Sequence, residues 1–128
     1  TWLVITEPWC GDSAQCLPVL QGLAELSPNI NLRIALRDQD TTLIDAFLTN
    51  GARSIPKLVA FDPVTEHLHF TWGPRPQAAH DLVMANKAKP EADRLSKEEL
   101  AEALHRWYHE NAGEAVQQEV AALLRTPA

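Results

Sequence analysis

The sequence is poor in cysteine, aromatic residues and positive charge. Its two cysteines, Cys10 and Cys16, allow at most one disulfide, which excludes a disulfide-stapled scaffold. Its 11 Lys and Arg are outnumbered by 17 Asp and Glu, for a net charge of −6. That balance argues against a nucleic-acid or anionic-membrane surface, both of which need clustered cations. Apolar runs such as Trp2 to Ile5 are strand-sized, far below the roughly 20 residues of a membrane span. No Gly-rich phosphate loop, Ser-His-Asp order or paired-carboxylate site stands out, nothing reads as a signal peptide, and no cofactor is implied. What remains is a chain of 128 residues, 45% apolar, the size of one domain with a real core. It lacks an initiator Met and starts one step before an apolar strand, so a trimmed upstream segment is expected.

The pattern alternates between strand and helix. Trp2-Leu3-Val4-Ile5 reads as a strand buried on both faces. Glu7-Pro8 breaks it, and a helix starts near Cys10 or Gly11 and runs to about Ser27. Pro18 lies inside that helix and should kink it. Residues 31–36 form a second strand, and Thr41 to Asn50 a short helix with Gly51 as its C-cap. Lys57 to Phe61 and His67 to Trp72 form an antiparallel pair across the Asp62–Glu66 turn. A helix from about Gln77 to Lys87 follows. Ser96 and Glu99 form a capping box for a helix reaching about Glu110, and Gly113 separates it from a last helix ending near Arg125. This order, β-α-β-α-β-β-α and two more helices, predicts an α/β fold with a central mixed sheet and helices on its faces.

One segment carries chemistry. Cys10 follows a buried strand at the first turn of a helix, where unpaired N–H groups and the helix dipole favour thiolate over thiol. Asp12 opposes this, because a nearby negative charge raises a thiol pKa. Trp9 can shield one side of the sulfur. Here the chain resembles the thioredoxin-like family. Trp9-Cys10-Gly11-Asp12-Ser13 looks like the Trp-Cys-Gly-Pro-Cys segment, and Pro18 stands where thioredoxins carry a kinking proline. Residues 53–59, Arg-Ser-Ile-Pro-Lys-Leu-Val, resemble the segment around the family's cis-proline, and Gly73 the glycine bordering its substrate groove. The tail, with Trp107-Tyr108-His109-Glu110, is similar to a small bacterial subgroup with extra C-terminal helices.

The resemblance implies a thioredoxin-like three-layer fold over residues 1–88, with the family's first strand and helix upstream of Thr1. Residues 89–128 are then a C-terminal helical extension packed on that domain. It also implies a thiol-disulfide oxidoreductase, with Trp9, Ile55, Pro56 and Gly73 shaping the groove for a protein or small-thiol disulfide substrate. In the family, the residue before the cis-proline, Ile55 here, offers backbone groups to an extended substrate. Three departures stand out. Ser13 occupies the place of the second cysteine, Asp12 that of the intervening proline, and Val4 that of a buried Asp that aids proton transfer. A Cys-x-x-Ser pattern is that of monothiol members: Cys10 holds a mixed disulfide, Ser13 donates a hydrogen bond to its thiolate, and resolution comes from elsewhere. A redox-inactive peptide-binding module is the alternative.

Cys16 reads as core packing, in step with Leu20 and Leu23. Six helical residues span about 9 Å, beyond the roughly 7 Å Cα separation of a disulfide. A resolving role for Cys16 in a two-cysteine peroxidase therefore requires the helix start to unwind. The peroxidatic Pro-x-x-x-Thr-x-x-Cys pattern is absent, with Leu3 and Glu7 in those places. His67 and His69 read as exposed hairpin residues rather than metal ligands, and His105, His109 and Glu102 share a helix face without a third cluster, so no metal site is expected. Arg75 reads as a solvated surface arginine, and Trp107 and Tyr108 as the stripe that docks the tail. A reactive thiol in an acidic domain is expected in a reducing, cytoplasmic compartment. The residues leave the oligomeric state open.

Overall fold

Alternate side chains of the first strand, β1 (Trp2–Thr6), enter two different cores. Trp2 and Val4 point to one face of the sheet, and Leu3 and Ile5 to the other. Strand β3 (Lys57–Phe61) follows the same rule, with Leu58 and Ala60 on the first face and Val59 and Phe61 on the second. The period-2 geometry of a strand dictates this split, and a strand buried on both faces is a near-continuous apolar run, here with polar Thr6 and Lys57 only at the strand ends. The structure, a computed structural model, describes residues 1–125.

The remaining elements are α1 (Gly11–Glu25), β2 (Leu32–Leu36), α2 (Thr41–Asp45), β4 (Leu68–Trp72), α3 (Gln77–Ala88), a short 3₁₀ turn (Glu91–Asp93), α4 (Lys97–Asn111) and α5 (Glu114–Arg125). The strands form one mixed sheet in the order β2-β1-β3-β4. β1 runs parallel to β2 and antiparallel to β3, and β3 is antiparallel to β4. Cys16, Leu20 and Ala24 of α1, Ala79 of α3, Tyr108 of α4, and Val116 and Val120 of α5 fill the first face. Ile44 of α2 covers the second. Helices therefore lie on both faces of the sheet, and the two C-terminal helices share the larger core.

Local chemistry sets the element ends. Ser96 accepts from the Glu99 N–H while the Glu99 carboxylate accepts from the Ser96 N–H, which is the expected capping box. The helix expected over residues 41–50 stops at Asp45 instead. Asn50 and Gly51 both adopt positive φ, 51° and 80°, and paired backbone bonds join Thr49 and Ala52 across them. An Asn-Gly pair prefers this tight hairpin turn, which overrides the helical spacing of Leu43, Ile44, Phe47 and Leu48. Pro18 sits within α1, which runs unbroken from Gly11 to Glu25.

Burial predicts a sharp contrast between two leucines of the same helical segment. Leu20 is fully buried in the larger core, whereas Leu26, just past α1, is 81% exposed. Leu20→Ala should cost about 2–5 kcal/mol from lost burial and the cavity left behind. Leu26→Ala should stay within about 0.5 kcal/mol of the parent. Urea unfolding of the two variants checks the difference; equal losses would mean that the α1 face is assigned wrongly.

Candidate active site

The turn from β1 into α1 delivers Cys10 to the N-cap of the helix. Cys10 has extended backbone geometry and its carbonyl accepts the Ala14 N–H, so the first-turn N–H groups behind it lack intrahelical partners. The thiol is half-buried, packs beside the Ile5–Ile44–Ile55–Val59 core, and lies 3.5 Å from the Ile55 carbonyl oxygen, to which it donates. Ile55 and Pro56 are buried just before β3, and the peptide bond between them is cis.

Gly73, at the end of β4, closes against this segment from the other side. Its φ is +115°, and a Cβ built on it would overlap the Pro56 carbonyl oxygen. Only glycine fits so close an approach at this backbone angle. The Gly73–Pro74 peptide is also cis. The structure thus brings together Cys10, Ile55, Pro56 and Gly73, all singled out from the sequence. Trp9 is 65% exposed beside them, with the Arg37 guanidinium 5.0 Å over its ring centroid. Arg37 also pairs with Asp38 and donates to the Arg53 carbonyl, while the buried Glu7 carboxylate accepts from the Asp38 N–H.

Ser13 does not meet Cys10. Its hydroxyl is buried without a hydrogen-bond partner, so the expected bond to the Cys10 sulfur is not made. The cause is helical geometry: Ser13 faces a cleft of about 350 Å³ lined by Thr6, Pro8, Leu17 and Ile34, whereas the Cys10 sulfur turns to Ile55. Thr6, also buried, has an unpartnered hydroxyl at the same cleft. Val4 lies fully buried beneath α1, so no acid stands there.

Cys16 is fully buried in the larger core, with its sulfur 3.7 Å from the Tyr108 hydroxyl. Burial pushes its thiol up to about 12, so it stays protonated and unreactive at neutral pH. Both cysteines are free. His67 and His69 stack edge-to-face on the exposed hairpin, and His105 meets Gln15 across the α1–α4 cleft. Among the described residues no group of His, Cys, Asp or Glu is placed to hold a metal ion.

Arg75 departs from the sequence reading. Rather than being solvated, it donates to the Asp12 carboxylate at 2.7 Å, with both side chains largely buried. Tyr108 donates to the other Asp12 oxygen at 2.6 Å. Burial, reinforced by Cys16 and Asp12, pushes the phenol well above its ordinary value, so Tyr108 keeps its proton and remains a donor. Reading the sequence as a packing stripe missed this role. A phenol on a buried stripe nevertheless signals a polar partner, because its hydroxyl needs one.

Two outcomes follow from this geometry. In the folded protein at pH 8, iodoacetamide should label Cys10 and spare Cys16, with both labelled in guanidinium; peptide mass mapping reads the difference, and native labelling of Cys16 would contradict its burial. Gly73→Ala should lose about 3 kcal/mol in urea unfolding, because the new methyl meets a backbone oxygen at a backbone angle that suits glycine. A neutral Gly73→Ala would mean that the two loops do not abut.

A family model described as Thioredoxin matches residues 1–93. No curated protein matches the chain. Among solved structures, the crystal structure of an HIV epitope-scaffold superposes with a TM-score of 0.69 at 23% identity. That match covers 99% of this chain and 66% of the scaffold, so the chain spans just under two thirds of the scaffold's length, and the likeness speaks for the fold alone. With the mixed sheet, the cysteine at the start of α1 and a family match over more than half of its length, the chain belongs to the thioredoxin family.

Proposed function

We propose that the protein is a monothiol thiol-disulfide oxidoreductase, with Cys10 as its nucleophile. The observation that carries this reading is the half-buried Cys10 thiol at the N-cap of α1, facing the Ile55–Pro56 segment. The helix start supplies unpaired N–H groups and partial positive charge, both of which stabilise a thiolate. The exchange is balanced within itself. The Cys10 thiolate attacks one sulfur of a protein or low-molecular-weight disulfide; a Cys10–S–S–R bond forms, the substrate S–S bond breaks, and the other half leaves as a thiolate. Ser13 stands where a resolving thiol would be needed, so a second external thiol releases the product. Trp9, Ile55, Pro56 and Gly73 line the substrate groove. A reducing compartment, the cytoplasm, suits this chemistry; among the described residues no helix is long and apolar enough to cross a membrane.

A redox-inactive binding module is the second reading. It is favoured by the buried Val4 beneath α1, which leaves no acid there to move protons during exchange, and by the unbonded Ser13 hydroxyl. A peroxidase using Cys10 and Cys16 has less support, because Cys16 lies fully buried within α1 and the helix start would have to open.

Incubation with oxidised glutathione, followed by intact-mass and peptide analysis, separates the three. The oxidoreductase reading expects one glutathione adduct on Cys10, none on Cys16, and none at all in Cys10→Ser. An unmodified protein would sink that reading in favour of the binding module. An internal Cys10–Cys16 disulfide would favour the peroxidase.

A further inference from the structure

Asp12 poses a problem for a working thiolate at Cys10. It lies two residues further along the same first turn, and an uncompensated carboxylate there raises the cost of a second negative charge. The structure surrounds that carboxylate. Arg75, from the loop after β4, takes one oxygen at 2.7 Å, and Tyr108, from α4, takes the other at 2.6 Å. The sulfur of Cys10 meanwhile turns to Ile55, in the segment before β3. The two groups therefore leave the helix start towards different neighbours.

We propose that Arg75 and Tyr108 are positioning residues for Cys10, which pin the Asp12 carboxylate on the α4 side of the helix start and offset its charge at the sulfur. The proposal rests on the reading of Cys10 as a working thiol. Arg75 reaches Asp12 from a loop whose first residue, Gly73, abuts Pro56, so the same ion pair ties the helix start to the segment that faces the sulfur. On the other thiol of this helix, Cys16, burial is the main cause of the upward push, and Asp12 adds to it while Arg75 opposes it. Other charged or titratable groups around the helix start are Glu7 in the preceding turn, Arg37 and Asp38 after β2, Lys57 at the start of β3, Cys16, and His105 of α4, which lines the same cleft as Asp12 and bonds to Gln15. Glu7 accepts from the Asp38 N–H, Arg37 pairs with Asp38, and Lys57 donates to Thr49. None of them bonds to Asp12.

The test is the pH midpoint of Cys10 alkylation by iodoacetamide in the full chain, read by peptide mass. Arg75→Met leaves Asp12 without its cation and should raise the midpoint by about 0.5–1 pH unit. Asp12→Asn leaves Arg75 without its anion and should lower it by a similar amount. The double variant should return to the parent value, and Arg75→Lys, which keeps the charge, should stay close to it. Tyr108→Phe should shift it upward by less than Arg75→Met. Equal midpoints for the parent, Asp12→Asn and Arg75→Met, with native circular dichroism, would overturn the proposal, because a purely structural bridge changes stability without moving the midpoint. If Arg75→Met fails to fold, Asp12→Asn and Arg75→Lys carry the same decision. Failure of the parent to form a glutathione adduct while these midpoints shift would sink the oxidoreductase reading and leave the positioning role standing.

Discussion

Strand β1 has no face to give to solvent, and that constraint organises the molecule. Trp2 and Val4 need cover on one side, and α1, α3, α4 and α5 supply it; Leu3 and Ile5 need cover on the other, where α2 and its flanking residues lie. Because β1 is central, it pairs with β2 and β3 at once, and its end is held in both registers. The chain leaves that fixed end through Glu7 and Pro8 and turns at Cys10 into α1. The position of the sulfur thus follows from the burial of a strand, rather than from any contact that the thiol makes for itself. Loops are tolerant parts of a fold, but this one is anchored at both ends by cores.

Much of this was legible in the sequence because it is local. A run of Trp, Leu, Val and Ile has few alternatives to a buried strand, and a Ser-x-x-Glu pair before an apolar stripe names its own helix start. The segment after Asp45 was harder. Its apolar spacing continues the helix, and the competing signal, Asn50-Gly51, is two residues long and acts through backbone freedom at positive φ. Local turn chemistry won there because the short helix buries a single side chain, Ile44.

The site was legible in its apolar and backbone parts and opaque in its electrostatics. Cys10, Ile55, Pro56 and Gly73 announce themselves through neighbours in sequence and through the family likeness. The partners of Asp12 lie 63 and 96 residues away, and nothing in their surroundings points to it. Arg75 resembles any surface arginine, and Tyr108 any member of a packing stripe. Pairing of distant polar groups is decided by tertiary placement, which periodicity does not encode. Ser13 illustrates the converse: its spacing from Cys10 suggests a hydrogen bond, but its side of the helix faces a cleft instead.

The family match ends at residue 93, yet Tyr108 lies beyond it. That one side chain fills part of the larger core, seats its hydroxyl beside Cys16, and satisfies half of the Asp12 carboxylate. The boundary drawn by kinship and the boundary drawn by chemistry are therefore different lines. A residue outside the matched region is part of the interior on which Asp12, inside it, depends. Grafting this helix start, with its aspartate, onto a domain that lacks the tail would keep the charge and its Arg75 cation and lose the Tyr108 hydroxyl that satisfies the other carboxylate oxygen. The short motif and the distant helix are joined through a single carboxylate.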